Sequence, residues 1–318
     1  MEKYTRFRDP GTGLAPFLPV PGYTPPGPPA LTLPLRVVLF AIRLPVVLAI
    51  FLLHVLVFEC SLAPLWWITG PDVLGWLRWI FIRGGVMGIA GVWWVPVQVD
   101  NSGAALSSRK TFTAPLRAGD ILVANQTSPL DVLLLASTLP SVPLFTQSYP
   151  GTSLVEPISF PTAILRYLIK PSVKAPTSGM MALKDVTNKW QKRIVVVFPE
   201  GTATNSRGLL ASTPSLSSTG VKTRIWPYTI KYTPTADLST PINGYKAFWS
   251  FFWRFLSQFK REIRLRGAAQ PIIVDGEEKD GEVVEKVMDA LAKVGRMRRL
   301  GLGVQEKRDF LDIWGKRS

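Results

Sequence analysis

The chain has 318 residues, 47% of them hydrophobic, and its mean hydropathy of +0.19 is high for a soluble protein. It carries 37 lysine and arginine residues against 22 acidic ones, so its net charge is +15. An apolar and basic composition is typical of a protein at a membrane surface. The alternative is a soluble protein that binds nucleic acid, but no zinc-finger spacing, RNP-like stretch or block of basic residues supports it. We therefore expect membrane lipids, and no nucleic acid, as partners.

Cysteine usage limits the kinds of site that the chain can build. Cys60 is the only cysteine, which excludes an intrachain disulfide and a multi-cysteine metal site. The first residues lack the charged region joined to a short apolar stretch that marks a cleaved signal. We expect a fold that faces the cytosol and holds neither a metal nor a bound cofactor.

Residues 1–33 form the first predicted region, a tail rich in proline and glycine. This composition predicts extended, unpacked backbone. The prolines that carry the prediction are Pro10, Pro16, Pro19, Pro21, Pro25, Pro26, Pro28 and Pro29.

Residues 34–95 form the second predicted region, a helical segment associated with a membrane. An apolar run at 44–69 would span about 39 Å as a helix, which exceeds a hydrocarbon core of about 30 Å. Arg36 and Arg43 before the run fit a basic cytosolic flank, and Trp66 and Trp67 near its end fit an aromatic belt.

The second apolar stretch of this region, at 73–95, is interrupted by Arg78, Arg83 and the Gly84-Gly85 pair. These residues favour an interfacial or re-entrant segment, so the two stretches together predict a helical hairpin embedded in the membrane. The alternative is that 37–95 are buried helices of a soluble domain.

Residues 96–275 show the pattern of an α/β layer domain, in which short apolar strands alternate with helical segments. Continuous apolar runs of this kind predict strands that are covered on both faces. The predicted strands are 121–124, 194–198, 225–232 and 262–266, and the predicted helices are 130–138 and 160–169.

Two later segments are rich in aromatic or basic residues. The aromatic stretch 245–260 predicts either an interfacial amphipathic helix or an ordinary packed helix. Residues 276–318 are predicted to be a basic C-terminal helical region, with a helix over 282–299 whose terminal arginines suit the helix dipole.

Two motifs follow two of the predicted strands. Asn125-Gln126-Thr127-Ser128-Pro129-Leu130-Asp131 follows the strand 121–124, and Phe198-Pro199-Glu200-Gly201-Thr202 follows the strand 194–198. In this order they resemble the first motif and the acceptor-phosphate motif of the glycerolipid acyltransferase family. The opening MEKYTRFRDPGTGLAPFLP and the TSPLD segment resemble the fungal lysophosphatidate acyltransferases of the endoplasmic reticulum and lipid droplets.

The resemblance implies acyl transfer from acyl-CoA, as co-substrate, to a lysophosphatidate or related lysolipid. Such a reaction needs a base near the hydroxyl, a site for the developing oxyanion and a firm hold on both substrates. Gln126 and Asp131 would line the reaction centre, with Ser128 on the substrate side. The Glu-Gly-Thr loop would bind the acceptor phosphate through backbone N–H groups, a small glycine and a hydroxyl. Its members are Glu200, Gly201 and Thr202.

Basic residues near the motifs are candidates for binding phosphate. Arg207 and Lys222 could bind the phosphate or the CoA moiety, or could lie on a solvated loop. Arg166 and Lys170 occupy the interval of the family's arginine-containing motif, although the surrounding pattern departs from it. Arg166 is the substrate-binding candidate there.

The chain departs from the family at its catalytic histidine, because position 126 is glutamine and the single histidine is His54 in the apolar segment. An amide does not titrate near neutral pH, so Gln126 can form hydrogen bonds but cannot act as a general base. Asp131, Glu200, a water molecule or the substrate's phosphate could take the proton instead. The alternative function is a non-catalytic relative that binds phospholipid or organises lipid-droplet proteins. A third, peripheral membrane shaping by the 245–260 helix, leaves the Glu-Gly-Thr motif unexplained.

Overall fold

A computed structural model shows a mixed α/β fold around one large sheet. Eight strands form this sheet in the order β1-β8-β7-β2-β5-β3-β4, with β9 pairing with β7, and β6 and β10 form a separate two-stranded sheet. The structure describes residues 2–20, 29–57, 79–93, 95–100, 116–233, 238–242, 244–258, 261–275 and 280–315. The strands are β1 Val97–Asp100, β2 Ile121–Ala124, β3 Pro143–Ser148, β4 Val155–Ile158, β5 Ile194–Val197, β6 Gly208–Leu209, β7 Arg224–Thr233, β8 Glu262–Ala268, β9 Ile272–Ile273 and β10 Arg298–Arg299.

Helices cover both faces of the sheet, as the continuous apolar runs predict. They are α1 Pro29–His54, α2 Leu130–Thr138, α3 Phe160–Arg166, α4 Leu183–Lys189, α5 Tyr245–Leu256, α6 Asp280–Gly295 and α7 Val304–Gly315. On one face, β2 and β7 pack through residues such as Leu122 and Trp226 against α2, α3 and α5. On the other face, Ile121 and Ile225 pack against α4 and α6. The predicted α/β layer fold is confirmed.

The centre of the sheet brings two motif-bearing strands side by side. β2 pairs in parallel with β5 through Leu122 and Val196, and with β7 on its other side. Parallel strands end at the same edge, and ligands in α/β folds bind beyond the carboxyl ends of the strands. The motif that follows β2 therefore lies next to the motif that follows β5.

One apolar helix among the described residues is long and apolar enough to cross a membrane, by length and composition. It runs from Thr32 to Val57, and only 11% of its most apolar 18-residue stretch is buried. It begins well before the predicted run at 44–69. A π-helical segment, Ile80–Met87, packs on it: a Cβ at Gly85 would lie 2.8 Å from Ile50 Cγ2. The predicted hairpin turn at 58–78, with Trp66, Trp67 and Arg78, lies outside the described residues.

The arginines of α1 contact the end of α5. Arg36 donates to Ser257 Oγ at 3.1 Å, and Arg43 donates to the Leu256 carbonyl at 3.2 Å. Cations at a helix C-terminus satisfy carbonyls that lack partners within the helix. In this structure these two arginines therefore tie α1 to α5.

The aromatic helix α5 has a buried side and an exposed side. Phe251, Phe255 and Leu256 are buried in the core, and Trp253 stacks edge-on against Phe40 of α1 with ring centroids 5.1 Å apart. Trp249 is 40% exposed. The packed-helix alternative therefore describes the inner side of α5.

Two expectations for the ends of the chain are wrong. Residues 2–20 are not unpacked, because Tyr4, Phe7 and Phe17 are buried against Phe310 of α7. Aromatic residues between the prolines supply the apolar surface that folds this segment. The helix predicted over 282–299 ends at Gly295, and its last two residues form β10 instead. The boundaries of the four predicted regions stay predictions.

Candidate active site

A hydrogen bond between the two motifs defines the candidate site. The backbone N–H of Gln126 donates to Glu200 Oε1 at 2.9 Å. The Gln126 carbonyl in turn accepts from the N–H of Thr204 at 3.0 Å. The loops that follow β2 and β5 are therefore joined at the carboxyl edge of the sheet, as the parallel pairing requires.

Asp131 holds the first motif in its turn. Its Oδ2 accepts from the N–H of Thr127 at 2.7 Å and of Ser128 at 2.9 Å, and from the Tyr167 hydroxyl at 3.2 Å. Its Oδ1 accepts from the Tyr232 hydroxyl. Burial raises the pKa of Asp131 from its usual 3.8 to about 6, and these donors limit the rise because they favour the charged form. The carboxylate thus binds the loop and two tyrosines.

The side chain of Gln126 lies buried at the centre of the site. The described residues show no hydrogen bond between the Gln126 and Asp131 side chains. Gln126 is 3% exposed, and its Oε1 is buried without a hydrogen-bond partner among the described residues. Burial and the charge of Asp131 raise the pKa of Tyr167, and a hydrogen bond from the Gln126 side chain opposes this rise. The free Oε1 is an acceptor that a substrate hydroxyl could use.

Glu200 uses both carboxylate oxygens to hold backbone. Its Oε2 accepts from the N–H of Leu210 at 3.0 Å, while Oε1 accepts from Gln126. Complete burial raises the pKa of Glu200 from its usual 4.5 to about 8, and its two backbone donors oppose this rise. In this conformation Glu200 organises the loops around it.

Gly201 is required by the shape of the second motif. Its φ is +64°, a left-handed conformation that favours glycine. A Cβ there would lie 3.0 Å from the Ser148 carbonyl oxygen and 3.2 Å from Val304 Cγ2. Val304 belongs to α7, so the C-terminal helix lies directly against this motif. Thr202 beside it is buried, with 4% of its surface exposed.

Lys307 of α7 is a buried cation beside the second motif. Its Nζ donates to the Ala203 carbonyl at 2.6 Å, and the side chain is fully buried. Burial lowers the pKa of Lys307 to about 7, and the charge of Glu200 opposes this shift. Lys307 thus fixes the loop that follows Thr202.

The N-terminal segment closes the same region. The Asn205 side chain donates to the carbonyls of Ala15 at 2.7 Å and Leu18 at 2.9 Å, and its backbone N–H donates to Pro16. Asp9 accepts from the N–H of Gly301 at 2.8 Å. Residues 2–20 are therefore held against the loop that follows the second motif and against the segment that precedes α7.

The remaining predicted residues lie around this centre. Ser128 is fully buried in the first loop, and its Oγ accepts from the N–H of Leu130 at 3.4 Å. Arg207 is exposed beyond the second motif. Arg166 forms an ion pair with Glu156 at 3.0 Å. Their proposed contacts with substrate stay predictions.

Other basic or metal-binding candidates lie away from the centre. Lys170 donates to Asp312. His54 is buried in α1 against Phe160, with ring centroids 5.4 Å apart and an interplanar angle of 71°. Over the described part of the chain, no group of three or more histidine, cysteine or acidic side chains could hold a metal ion.

Three residues of the site were not predicted from the sequence: Tyr232, Tyr167 and Lys307. Tyr232 could have been found, because it shares the face of β7 that Tyr228 and Ile230 bury. Tyr167 follows α3 and Lys307 lies in α7, which the sequence does not predict as a separate helix. Their proximity to the motifs depends on long-range packing.

Comparison with known proteins identifies the family. No protein-family profile matches the chain. A Schizosaccharomyces pombe protein named, provisionally, as a lysophosphatidic acid:oleoyl-CoA acyltransferase is 32% identical over 319 residues, covering 100% of this chain and 99% of the relative. The crystal structure of the 1-acyl-sn-glycerophosphate (LPA) acyltransferase PlsC from Thermotoga maritima is 16% identical with a TM-score of 0.43, and the match covers 84% of this chain and 95% of that chain. The full-length identity to the yeast relative shows that this chain belongs to the lysophosphatidic acid acyltransferase family of enzymes.

Proposed function

We propose that the protein transfers an acyl group from acyl-CoA to the free hydroxyl of lysophosphatidate, or a related lysolipid, to form phosphatidate for glycerolipid synthesis. The observation that carries the proposal is the hydrogen bond from Gln126 to Glu200 at 2.9 Å. It joins the loop that would bind the reacting hydroxyl to the loop that would bind the acceptor phosphate. The name of the full-length yeast relative supports the same substrates.

Gln126 would orient the attacking hydroxyl. Its buried Oε1 lacks a partner among the described residues and can accept the hydroxyl hydrogen. Because an amide cannot take up the proton, this contact would contribute positioning. Positioning can supply about 7 to 11 kcal/mol of barrier reduction, whereas general base catalysis is worth a factor of about 10² to 10⁴. Transfer without the histidine would therefore be slower but still catalysed.

The proton acceptor would come from outside the two carboxylates. Asp131 accepts from two backbone N–H groups and two tyrosine hydroxyls, and Glu200 accepts from two backbone N–H groups. Asp131, with a pKa of about 6, would accept these hydrogen bonds less well if it took the proton, and Glu200, with a pKa of about 8, already carries a proton at neutral pH. Because neither carboxyl group is free to take the proton, a water molecule or the phosphate of the substrate is favoured as the base.

The backbone of Glu200, Gly201 and Thr202 would bind the acceptor phosphate. Gly201 has no Cβ, and in this conformation the place of a Cβ lies 3.0 Å from the Ser148 carbonyl oxygen and 3.2 Å from Val304 Cγ2. Val304 packs against Gly201, and residues 2–20 are hydrogen-bonded to Asn205 farther along the same loop, so the acceptor would enter after these segments shift.

The helix α1 would anchor the protein, with the α/β domain at the cytosolic face of the endoplasmic reticulum or of a lipid droplet. Its length, hydropathy and exposure support this placement. Exposed apolar side chains along the helix, such as Leu48, Leu52 and Leu53, would contact acyl chains.

A second candidate is a non-catalytic relative that binds phospholipid or organises lipid-droplet proteins. The observation that favours it is the replacement of the histidine by Gln126, together with the burial of both motifs. Such a protein would keep the loops for their structural role and would need no proton acceptor.

Acyl transfer by the purified protein in detergent micelles separates the two candidates. The assay uses labelled oleoyl-CoA and a panel of lysolipids, and compares the wild type with Gln126→Leu, Gln126→His and the exposed control Gln191→Leu. We expect product from the wild type, at least a tenfold loss in Gln126→Leu, a gain in Gln126→His and no change in the control. Absence of product from folded wild-type protein with every acceptor would support the non-catalytic candidate.

A further inference from the structure

Three cations meet at one corner of the sheet, on the face that α6 covers. Lys231 lies on β7 and Arg266 on β8, and in the antiparallel register Thr229 pairs with Arg266 while Lys231 pairs with Arg264. Alternate residues of a strand share a face, so Thr229, Lys231, Arg264 and Arg266 face the same way. The end of α6 packs there too, because a Cβ at Gly295 would lie 2.9 Å from Thr229 Cγ2. Arg296 follows that glycine.

Neighbouring arginines are neutralised by acidic residues, whereas these three cations are not. Arg264 pairs with Glu262 at 2.7 Å, and Arg299 pairs with Glu285 at 2.6 Å. Within the part of the chain that the structure describes, Lys231, Arg266 and Arg296 form no ion pair. The hydrogen bond of Arg266 goes to the neutral amide of Gln98 at 3.3 Å.

The three cations repel one another. Burial and the charges of Arg266 and Arg296 lower the pKa of Lys231. Like charges at this spacing disfavour the folded cluster unless a counter-charge is bound. A ligand with several negative charges would relieve this repulsion.

Arg296 ends α6. Its φ is +48°, the left-handed conformation in which helices commonly end, and the N–H of Met297 donates to the Ala292 carbonyl at 3.0 Å. Glycine adopts this conformation without strain, so Arg296→Gly would remove the cation and keep the backbone.

The position of the cluster indicates which ligand reaches it. Lys231 precedes Tyr232, whose hydroxyl binds Asp131 on the opposite face of the sheet. The cluster therefore lies on the opposite face of the sheet from Asp131, near the carboxyl end of β7. It lies on the face of α6, whereas α1 packs on the other face. A phosphate-rich ligand that comes from water suits this place better than a lipid headgroup at the membrane of α1.

We propose that Lys231, Arg266 and Arg296 bind the phosphate groups of the acyl-CoA co-substrate, while its thioester arm passes over the carboxyl ends of the strands to the reaction centre. The identity of the co-substrate rests on the proposed function. The phosphates of CoA and the phosphate of lysophosphatidate share this chemistry, so the experiment must separate the two.

The test measures binding of CoA, and separately of 3′-dephospho-CoA, to the full-length protein in neutral detergent micelles at low salt. The variants are Arg296→Gly, which suits the positive φ and should keep or raise the melting temperature, and Lys231→Met. Lys192→Glu, an exposed lysine at the other end of the sheet, is the control. We expect about a tenfold weaker affinity for CoA in each cluster variant, as for the loss of one charged hydrogen bond, a steep dependence on salt and no change in the control.

Two further results bear on the proposal. Weaker binding of 3′-dephospho-CoA than of CoA by the wild type, with the difference reduced in Arg296→Gly, would place the 3′-phosphate at the cluster. Unchanged CoA affinity in both cluster variants, or equal loss in Lys192→Glu, would overturn the proposal.

Steady-state kinetics separate this proposal from the proposed function. A raised KM for acyl-CoA with an unchanged KM for lysophosphatidate supports the cluster as a co-substrate site. A raised KM for lysophosphatidate alone would assign the anion to the acceptor and overturn it. If CoA binding depends on the cluster but the protein transfers no acyl group, the cluster remains a CoA site and the proposed function is wrong.

Discussion

The carboxylate of Glu200 accepts hydrogen bonds from the backbone N–H groups of Gln126 and, through its other oxygen, of Leu210. Residues 126 and 200 belong to loops that follow different strands. Their contact makes the two motifs one structural unit, so a change in either loop is transmitted to the other.

Replacing Glu200 by Ala should both destabilise the protein and abolish transfer. Two buried N–H groups would lose their acceptor, at a cost of about 1 to 3 kcal/mol for each. Unfolding in detergent micelles measures the stability, and labelled oleoyl-CoA measures the transfer. The exposed Glu282→Ala is the matched control, and equal melting temperatures for Glu200→Ala and wild type would contradict the expected role.

The stabilising effect of Glu200 should decrease as the pH rises. Because burial raises the pKa of Glu200 from 4.5 to about 8, the folded protein keeps a proton that the unfolded chain releases. Its contribution is therefore fully present below about pH 4.5 and is lost as the pH rises through about 8. The melting temperature of the wild type minus that of Glu200→Gln should shrink between pH 5 and 8.5. A difference that stays constant over this range would show that Glu200 does not titrate there.

Tyr232→Phe should move the acid limb of the activity profile toward neutral pH. The Tyr232 hydroxyl is the strongest of the donors that hold down the pKa of Asp131, which is about 6. Without it the pKa of Asp131 should rise, and ionised Asp131 would be lost at higher pH. Tyr167→Phe, with its longer bond of 3.2 Å, should give a smaller shift. Tyr149→Phe, whose hydroxyl binds Glu156, should leave the limb in place.

Gly201→Ala and Gly151→Ala separate backbone strain from crowding at the second motif. Both glycines have positive φ, +64° and +78°, so both substitutions carry a conformational cost of about 1 kcal/mol. Only the Cβ at Gly201 meets a close neighbour, the Ser148 carbonyl at 3.0 Å, whereas nothing lies within 4 Å at Gly151. Crowding in Gly201→Ala should lower the free energy of unfolding by about a further 1 to 3 kcal/mol, and acyl transfer should be lost as well. Equal melting temperatures would show that the loop relaxes freely.

Asn205→Ala should loosen the N-terminal segment. It removes three side-chain hydrogen bonds, those donated to the Ala15 and Leu18 carbonyls and the one accepted from the Arg207 N–H, at a cost of about 0.5 to 1.5 kcal/mol for each. Limited proteolysis should then cut within residues 2–20 sooner than in the wild type, while the exposed Asn188→Ala on α4 should behave like the wild type. Identical cleavage rates for all three proteins would show that Asn205 does not hold the segment.

Local sequence patterns were sufficient to predict the bounds of the central strand and helix. The apolar run Ile121–Ala124 and the helix Leu130–Thr138 have the predicted bounds, because strand and helix periodicity are properties of neighbouring residues. The short strands β3 and β4 were not predicted. Their mixed sequences, PLFTQS and VEPI, carry no clear alternation, and pairing within the sheet determines them.

The sequence by itself determined the α/β class, the apolar helix, the two motifs and the replacement of the histidine by Gln126. Only the tertiary structure decided what each motif residue contacts, because those partners lie far apart in the chain. Asp131 meets Tyr232, 101 positions away, and Asn205 meets Ala15, 190 positions away. Contacts of this kind arise when sheet pairing and burial bring distant segments together, and no local periodicity encodes them.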